Sequence, residues 1–155
     1  MDYIALVTKV SEDKFIEVVS SAPRKIRETL FGRLGIKAKK RVGLKLHGKL
    51  EDRSRQLHAR LKEGKSSEEN DLCEELLRNW LFTKRPLLKA TLDYLEVKND
   101  DGLVDEEPAF FQELAEEKVA AMIEYLKGEG FAGEEIYVYL AFMSVPHLDD
   151  KLLAA

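Results

Sequence analysis

The stretch SSEENDLCEELLRNWLF, residues 66–82, has the pattern of one local structure, an α-helix. Ser66 and Glu69 stand in capping-box spacing at its start, so each can satisfy a backbone N–H that the first turn leaves without a partner. Leu72, Cys73, Leu76, Leu77 and Trp80 then recur three and four positions apart, which puts them on one helical face.

Starts, apolar stripes and stops of this kind recur along the chain. Ser11 opens SEDKFIEVVSS with two acids in the first turn and Phe15, Ile16, Val18 and Val19 as its apolar side. Pro23 interrupts, and Ser21 is placed to cap a second helix carrying Ile26, Leu30 and Leu34, with Gly35 as its C-terminal cap. Residues 37–63 read as a third helix, closed by Gly64. Pro86 predicts a break near Thr83 and a helix through Leu88, Leu92 and Leu95. KNDDG, residues 98–102, is a turn. Asp105, Glu106, Glu107 and Pro108 start a further helix, which carries Phe110, Phe111, Leu114, Ala121, Met122, Tyr125 and Leu126 and stops at Gly128.

IYVYLAFMSV, residues 136–145, is apolar on every side and ends before Pro146, which suits a buried helix. Its β-branched and aromatic residues suit a buried strand equally. YIALV near the N-terminus carries the same ambiguity, so a two-strand element pairing the termini is the alternative. The expected fold is all-α: one domain over residues 1–155, a helical bundle of about six or seven helices with a possible short strand at a terminus. Leu72, Leu76, Trp80, Leu92, Phe111, Leu114, Met122, Ile136, Leu140 and Met143 form its expected core.

Composition excludes several classes. The longest apolar run is about half of the ~20 residues that a membrane-spanning helix needs, so no membrane partner is expected. A single cysteine, Cys73, excludes an intrachain disulfide, and the N-terminal apolar run is too short for a secretory signal. A cytoplasmic location is the expectation. Charge is unevenly spread: residues 24–65 hold fifteen Lys and Arg against four Asp and Glu, whereas residues 66–155 hold eight against twenty-one. Such asymmetry points to a polyanion partner, or to halves that complement each other.

The basic segment contains GLKLHGKL, residues 43–50, which fits a phosphate-binding loop up to its last position. There Leu50 replaces the hydroxyl residue that would reach a magnesium ion, and no buried strand precedes the loop. The helical template organises more residues. Ile36, Leu46, Leu50, Leu57 and Leu61 share one arc, and Arg41, Lys45, Lys49 and Arg53 form a cationic row at spacing four, with Lys37 and Arg55 beside it. The row matches the spacing of a nucleic-acid backbone, but no exposed aromatics interleave with it to stack bases.

Other constellations carry structural readings. His47 and His58, eleven residues apart, point the same way on one helix but stand ~16 Å apart, too far to share a metal. His147 with Asp149 and Asp150 is an incomplete ligand set. VKNDDGLVDEEP has Val97 and Pro108 where a calcium loop needs acids. Cys73, among leucines, reads as a buried structural thiol. With no metal, cofactor or catalytic motif, the expected function is a non-catalytic protein-interaction module, an adaptor or small subunit that binds a protein partner or self-associates, and not an enzyme. The alternative is a nucleic-acid-binding protein using the cationic face of residues 37–62.

Overall fold

The structure, a computed structural model, describes residues 1–36, 50–63, 66–106 and 109–154. Among them are eight α-helices, two 3-10 turns and no strand, only an isolated bridge between Asp100 and Leu103. The all-α reading holds, and the helix count exceeds the expected six or seven. The helices are α1 (Tyr3–Lys9), α2 (Glu12–Ser21), α3 (Arg24–Arg33), α4 (Leu50–Leu61), α5 (Ser67–Phe82), α6 (Arg85–Tyr94), α7 (Glu116–Gly128) and α8 (Gly133–Phe142). None of them is long and apolar enough to cross a membrane. Contacts divide the chain into two compact units, Met1–Trp80 and Leu81–Ala155, with the boundary in the last turn of α5.

In the first unit α4 packs against α2 and α1. The possible terminal strand is instead α1, because its first N–H groups find side-chain acceptors. The Asp2 carboxylate accepts from the Ala5 N–H at 2.9 Å, and the Asn70 side-chain oxygen, on α5, accepts from Tyr3 at 2.8 Å and Ile4 at 3.3 Å. That turn of chain buries Ile4, Leu6 and Val7. Ser11 and Ser66 cap as their spacing predicts, accepting from Lys14 and Glu69 at 3.3 Å each.

Ser21 does not cap α3. It belongs to the last turn of α2, where its hydroxyl donates to the Val18 carbonyl, and Pro23 takes the N-terminal position of α3. Its locked φ and missing N–H cost nothing at a helix start. At the other end Gly35 adopts φ +71°, and the Ile36 N–H folds back to the Phe31 carbonyl at 2.9 Å. Phe15, Leu30, Phe31, Leu57, Leu61, Cys73, Leu76 and Trp80 are buried, and the Trp80 indole N–H donates to Glu17 at 2.8 Å.

In the second unit α7 packs against α6 and α8, and α8 packs against the 3-10 turn Asp150–Ala154. Pro86 sits in the first turn of α6. The buried-strand alternative for 136–145 gives way to α8, on which Ile136, Tyr137, Val138, Tyr139 and Leu140 are all buried. Of the expected core, Leu76, Trp80, Leu92, Phe111, Met122, Ile136 and Leu140 are buried, while Leu72, Leu114 and Met143 are half-buried.

The helix expected to run from Asp105 to Gly128 is two pieces, a 3-10 turn Ala109–Glu113 and α7, separated by an extended Ala115. The break lets Phe111 turn inward, buried, stacked on Phe110 at 5.0 Å and edge-on to Tyr139 at 6.5 Å. Glu116 and Glu117 then take the first-turn positions. Ala121 and Tyr125, expected on the apolar face, are exposed. The 98–102 turn closes through two backbone hydrogen bonds between Asp100 and Leu103, with the Asn99 side chain accepting from the Gly102 N–H at 2.9 Å. Asn99 is thus occupied in shaping the turn.

Candidate functional site

Of the six residues in the cationic row, Lys37, Arg41, Lys45 and Lys49 lie outside the described residues, as does His47. Arg53 and Arg55 are on α4, and both spend their charge within the first unit. Arg53 donates Nη1 to Glu28 Oε1 at 2.9 Å and Nη2 to Oε2 at 2.6 Å, with its guanidinium carbon 4.3 Å from the centroid of the Phe31 ring. Its side chain is 11% exposed, too little to present a charge to a ligand. The paired guanidinium in turn holds the Glu28 carboxyl below its ordinary pKa, against the opposing pull of desolvation.

Arg55 is more accessible but just as engaged. It donates to Glu12 across the α2–α4 seam at 2.7 Å and, on its own helix, to Glu51 and to Asp52 at 3.3 Å. Its pKa is raised, first by the Glu51 hydrogen bond. Those four carboxylates are what sequence reasoning missed. The 24–65 segment stands out for its cationic excess, and Glu28, Glu51 and Asp52 are three of its four acids. Other arginines of this unit behave alike: Arg33 pairs with Glu68 and Glu69 of α5, and Arg60 donates to the Leu34 carbonyl.

His58 is buried against Phe15, ring centroids 4.7 Å apart, and its Nε2 has no hydrogen-bond partner. Cys73 is fully buried, and burial pushes its thiol up to about 12, so it is inert rather than nucleophilic.

His147 lies on a groove of about 380 Å³ in the second unit, between one side of α7 and the C-terminal 3-10 turn. Ala120, Ile123 and Leu152 are its apolar lining, and Glu116, Glu124 and Lys127 from α7 face His147, Asp149 and Lys151. The α7 members recur at helical spacing away from the buried stripe of Val119, Met122 and Leu126, a signal present in the sequence but without its opposite wall. Asp150 turns elsewhere, accepting from the Tyr137 hydroxyl at 2.8 Å, and the Asp149 carboxylate accepts from the Lys151 N–H at 2.9 Å. Among the described residues no group of three His, Cys, Asp or Glu side chains is placed to hold a metal ion. Chemically the groove offers mixed charge around a small apolar patch. No family model, no curated protein and no solved structure matches this chain.

Proposed function

We propose that the chain is a non-catalytic interaction module, an adaptor or small subunit of an assembly, whose partner is another protein or a second copy of itself. The observation that carries this reading is the state of Arg53 and Arg55. Both described members of the cationic row are ion-paired to the protein's own carboxylates, which is how charges that organise helices behave rather than charges held ready for phosphate. Charge distribution supports it: residues 1–80 hold eighteen Lys and Arg against thirteen acids, and residues 81–155 hold seven against sixteen. Surfaces of opposite sign favour association between copies or with a charged protein. The 147–152 groove, with an apolar patch and a charged rim, is the kind of surface a side chain of a partner enters.

The competing reading is nucleic-acid binding through Lys37, Arg41, Lys45 and Lys49, favoured by the fifteen-to-four excess of cations in residues 24–65. Titration against duplex and single-stranded DNA and RNA over a range of salt separates the two. Our reading expects no binding at low salt, together with self-association or partner binding seen as an earlier elution volume. A log affinity that falls with log salt at ~0.9 per phosphate contact overturns it. Charge reversal of Lys45, Lys49 and Arg53 to Glu is the companion measurement: melting temperature or elution volume should change, not polyanion affinity.

A further inference from the structure

The first unit contains one buried imidazole that the proposed function leaves unused. His58 is 6% exposed where α4 meets α1 and α2, its ring lies against Phe15, and its Nε2 has no hydrogen-bond partner. A buried polar atom without a partner is uncommon, and here it is a titratable one. We propose that His58 makes the α4 seam a pH-sensitive latch: proton uptake by its imidazole loosens α4 from α1 and α2 reversibly.

The physics follows from what surrounds the ring. A neutral imidazole can leave Nε2 as an unfilled acceptor at moderate cost, whereas the imidazolium puts a charge and a further N–H at a buried position where Nε2 has no hydrogen-bond partner. The charged groups acting on His58 are Lys62, just after the last residue of α4, and Glu12 on α2; from α1 and the residues after it come the backbone carbonyls of Thr8 and Val10. Desolvation and Lys62 favour the neutral ring, while the carbonyls and Glu12 oppose them; burial is the largest influence, and the folded protein's pKa lies below the ordinary 6.5. Glu12 is of limited help, since its carboxylate already accepts from Arg55.

The sign is therefore set. The unfolded or locally opened chain takes up the proton near 6.5, the closed chain only at lower pH. Stability of the seam is complete above that value and falls as pH drops through the interval between the two. Glu28 acts in a separate, lower window, below 4.5, because its pKa is depressed from that value. Opening would uncover Phe15, Leu57 and Leu61, buried along α2 and α4, and strain the Arg55–Glu12 link that bridges the same helices.

Two measurements on the full chain test this. Carbon-13 NMR of the imidazoles, with His58 assigned by its loss in His58→Gln, should show it titrating below 6.5. Hydrogen exchange of the α4 amides, corrected for intrinsic rates, should show opening increase from about pH 7.5 to about pH 5.5 by roughly tenfold per unit of depression. In His58→Gln and His58→Phe the α4 response should be flat. An imidazole that titrates at or above its ordinary value, or α4 protection indifferent to pH, overturns the proposal, and so does an equal response in either variant. Should one variant fail to fold, the other and the wild-type titration still decide.

Discussion

Arg53 and Glu28 meet through two parallel hydrogen bonds of 2.9 and 2.6 Å, and the same guanidinium lies over Phe31, three residues after its carboxylate partner. One side chain thus ties α4 to α3 by a fork and by a stacked contact at once. Lysine cannot reproduce this, because an ammonium has neither the fork nor the flat face.

Replacing Arg53 by Met should destabilise the protein by about 1–2 kcal/mol, low in the range for hydrogen bonds to a charged group because Glu28 is partly exposed. Arg53→Lys should recover part of that loss. A double-mutant cycle with Glu28→Gln, read in urea midpoints at constant m, should give a coupling near ~1 kcal/mol. The pH sign is the same as that of His58, though the cause differs: pairing with Arg53 favours the charged carboxylate, whereas burial disfavours the charged imidazole. Because the folded Glu28 carboxyl is depressed, its contribution is present above 4.5 and is lost as pH falls below it. Glu28→Gln should flatten the melting curve in that window alone; an unchanged acid limb would refute the pair's role.

What could be read in the sequence was what neighbours in the chain decide. Ser11, Ser66 and Gly35 act within one turn of themselves, and each caps as its spacing implies, whereas the Glu69 carboxylate pairs with Arg33 instead of closing the capping box. Leu76, Leu77 and Trp80 follow from helical period alone. What could not be read depends on distant partners. Glu28 is twenty-five positions from Arg53, and no periodicity links them. The break at Ala115 has neither glycine nor proline to announce it; it follows from burying Phe111 against Tyr139. The groove has the same character, since four of its nine lining residues come from residues 147–152, far in sequence from α7.

Backbone strain offers a second prediction. Glu96 and Ser144 follow the last residues of α6 and α8 with φ of 58° and 61°, while Val97 and Val145 fold back to Leu92 and Leu140 at 2.9 Å each. Left-handed backbone there favours glycine, as at Gly35. Glu96→Gly and Ser144→Gly should each raise stability by about 0.5–1 kcal/mol, seen as a higher Tm. Gly102 is the reverse case. It has φ +87°, and a Cβ would lie 2.7 Å from Leu88 Cβ and 2.9 Å from the Lys89 nitrogen. Gly102→Ala should cost about 2–4 kcal/mol, overpacking added to left-handed strain. A Gly102→Ala protein as stable as the wild type would contradict this geometry.

Cys73 makes a third, chemical prediction. Its thiol is raised to about 12, by burial first and then by the carboxylates of Glu69 and Asp2. At about pH 8 only ~0.01% is thiolate, and no reagent reaches it without an opening of the unit. Labelling by a disulfide reagent should therefore be slow in buffer and become rapid only through the urea transition. Complete labelling within a minute of mixing in buffer would show that the site is open.

Asn70 carries the last prediction, because one amide there serves a helix 66 to 69 positions away. Its Oδ1 accepts from the Tyr3 and Ile4 N–H groups, and its Nδ2 donates to the Met1 carbonyl at 3.2 Å, so both ends of the amide are used. Asp2 caps the next N–H, that of Ala5. Asn70→Ala leaves two donors at the start of α1 without their acceptor, which should cost about 1–2 kcal/mol. Asn70→Asp keeps the acceptor, adds a favourable charge at the positive end of α1 and loses only the bond to Met1, so its loss should be the smaller. Exchange of the α1 amides should rise in Asn70→Ala well before the global transition, whereas equal stability of the two variants would mean that α1 is held by its buried Ile4, Leu6 and Val7 alone.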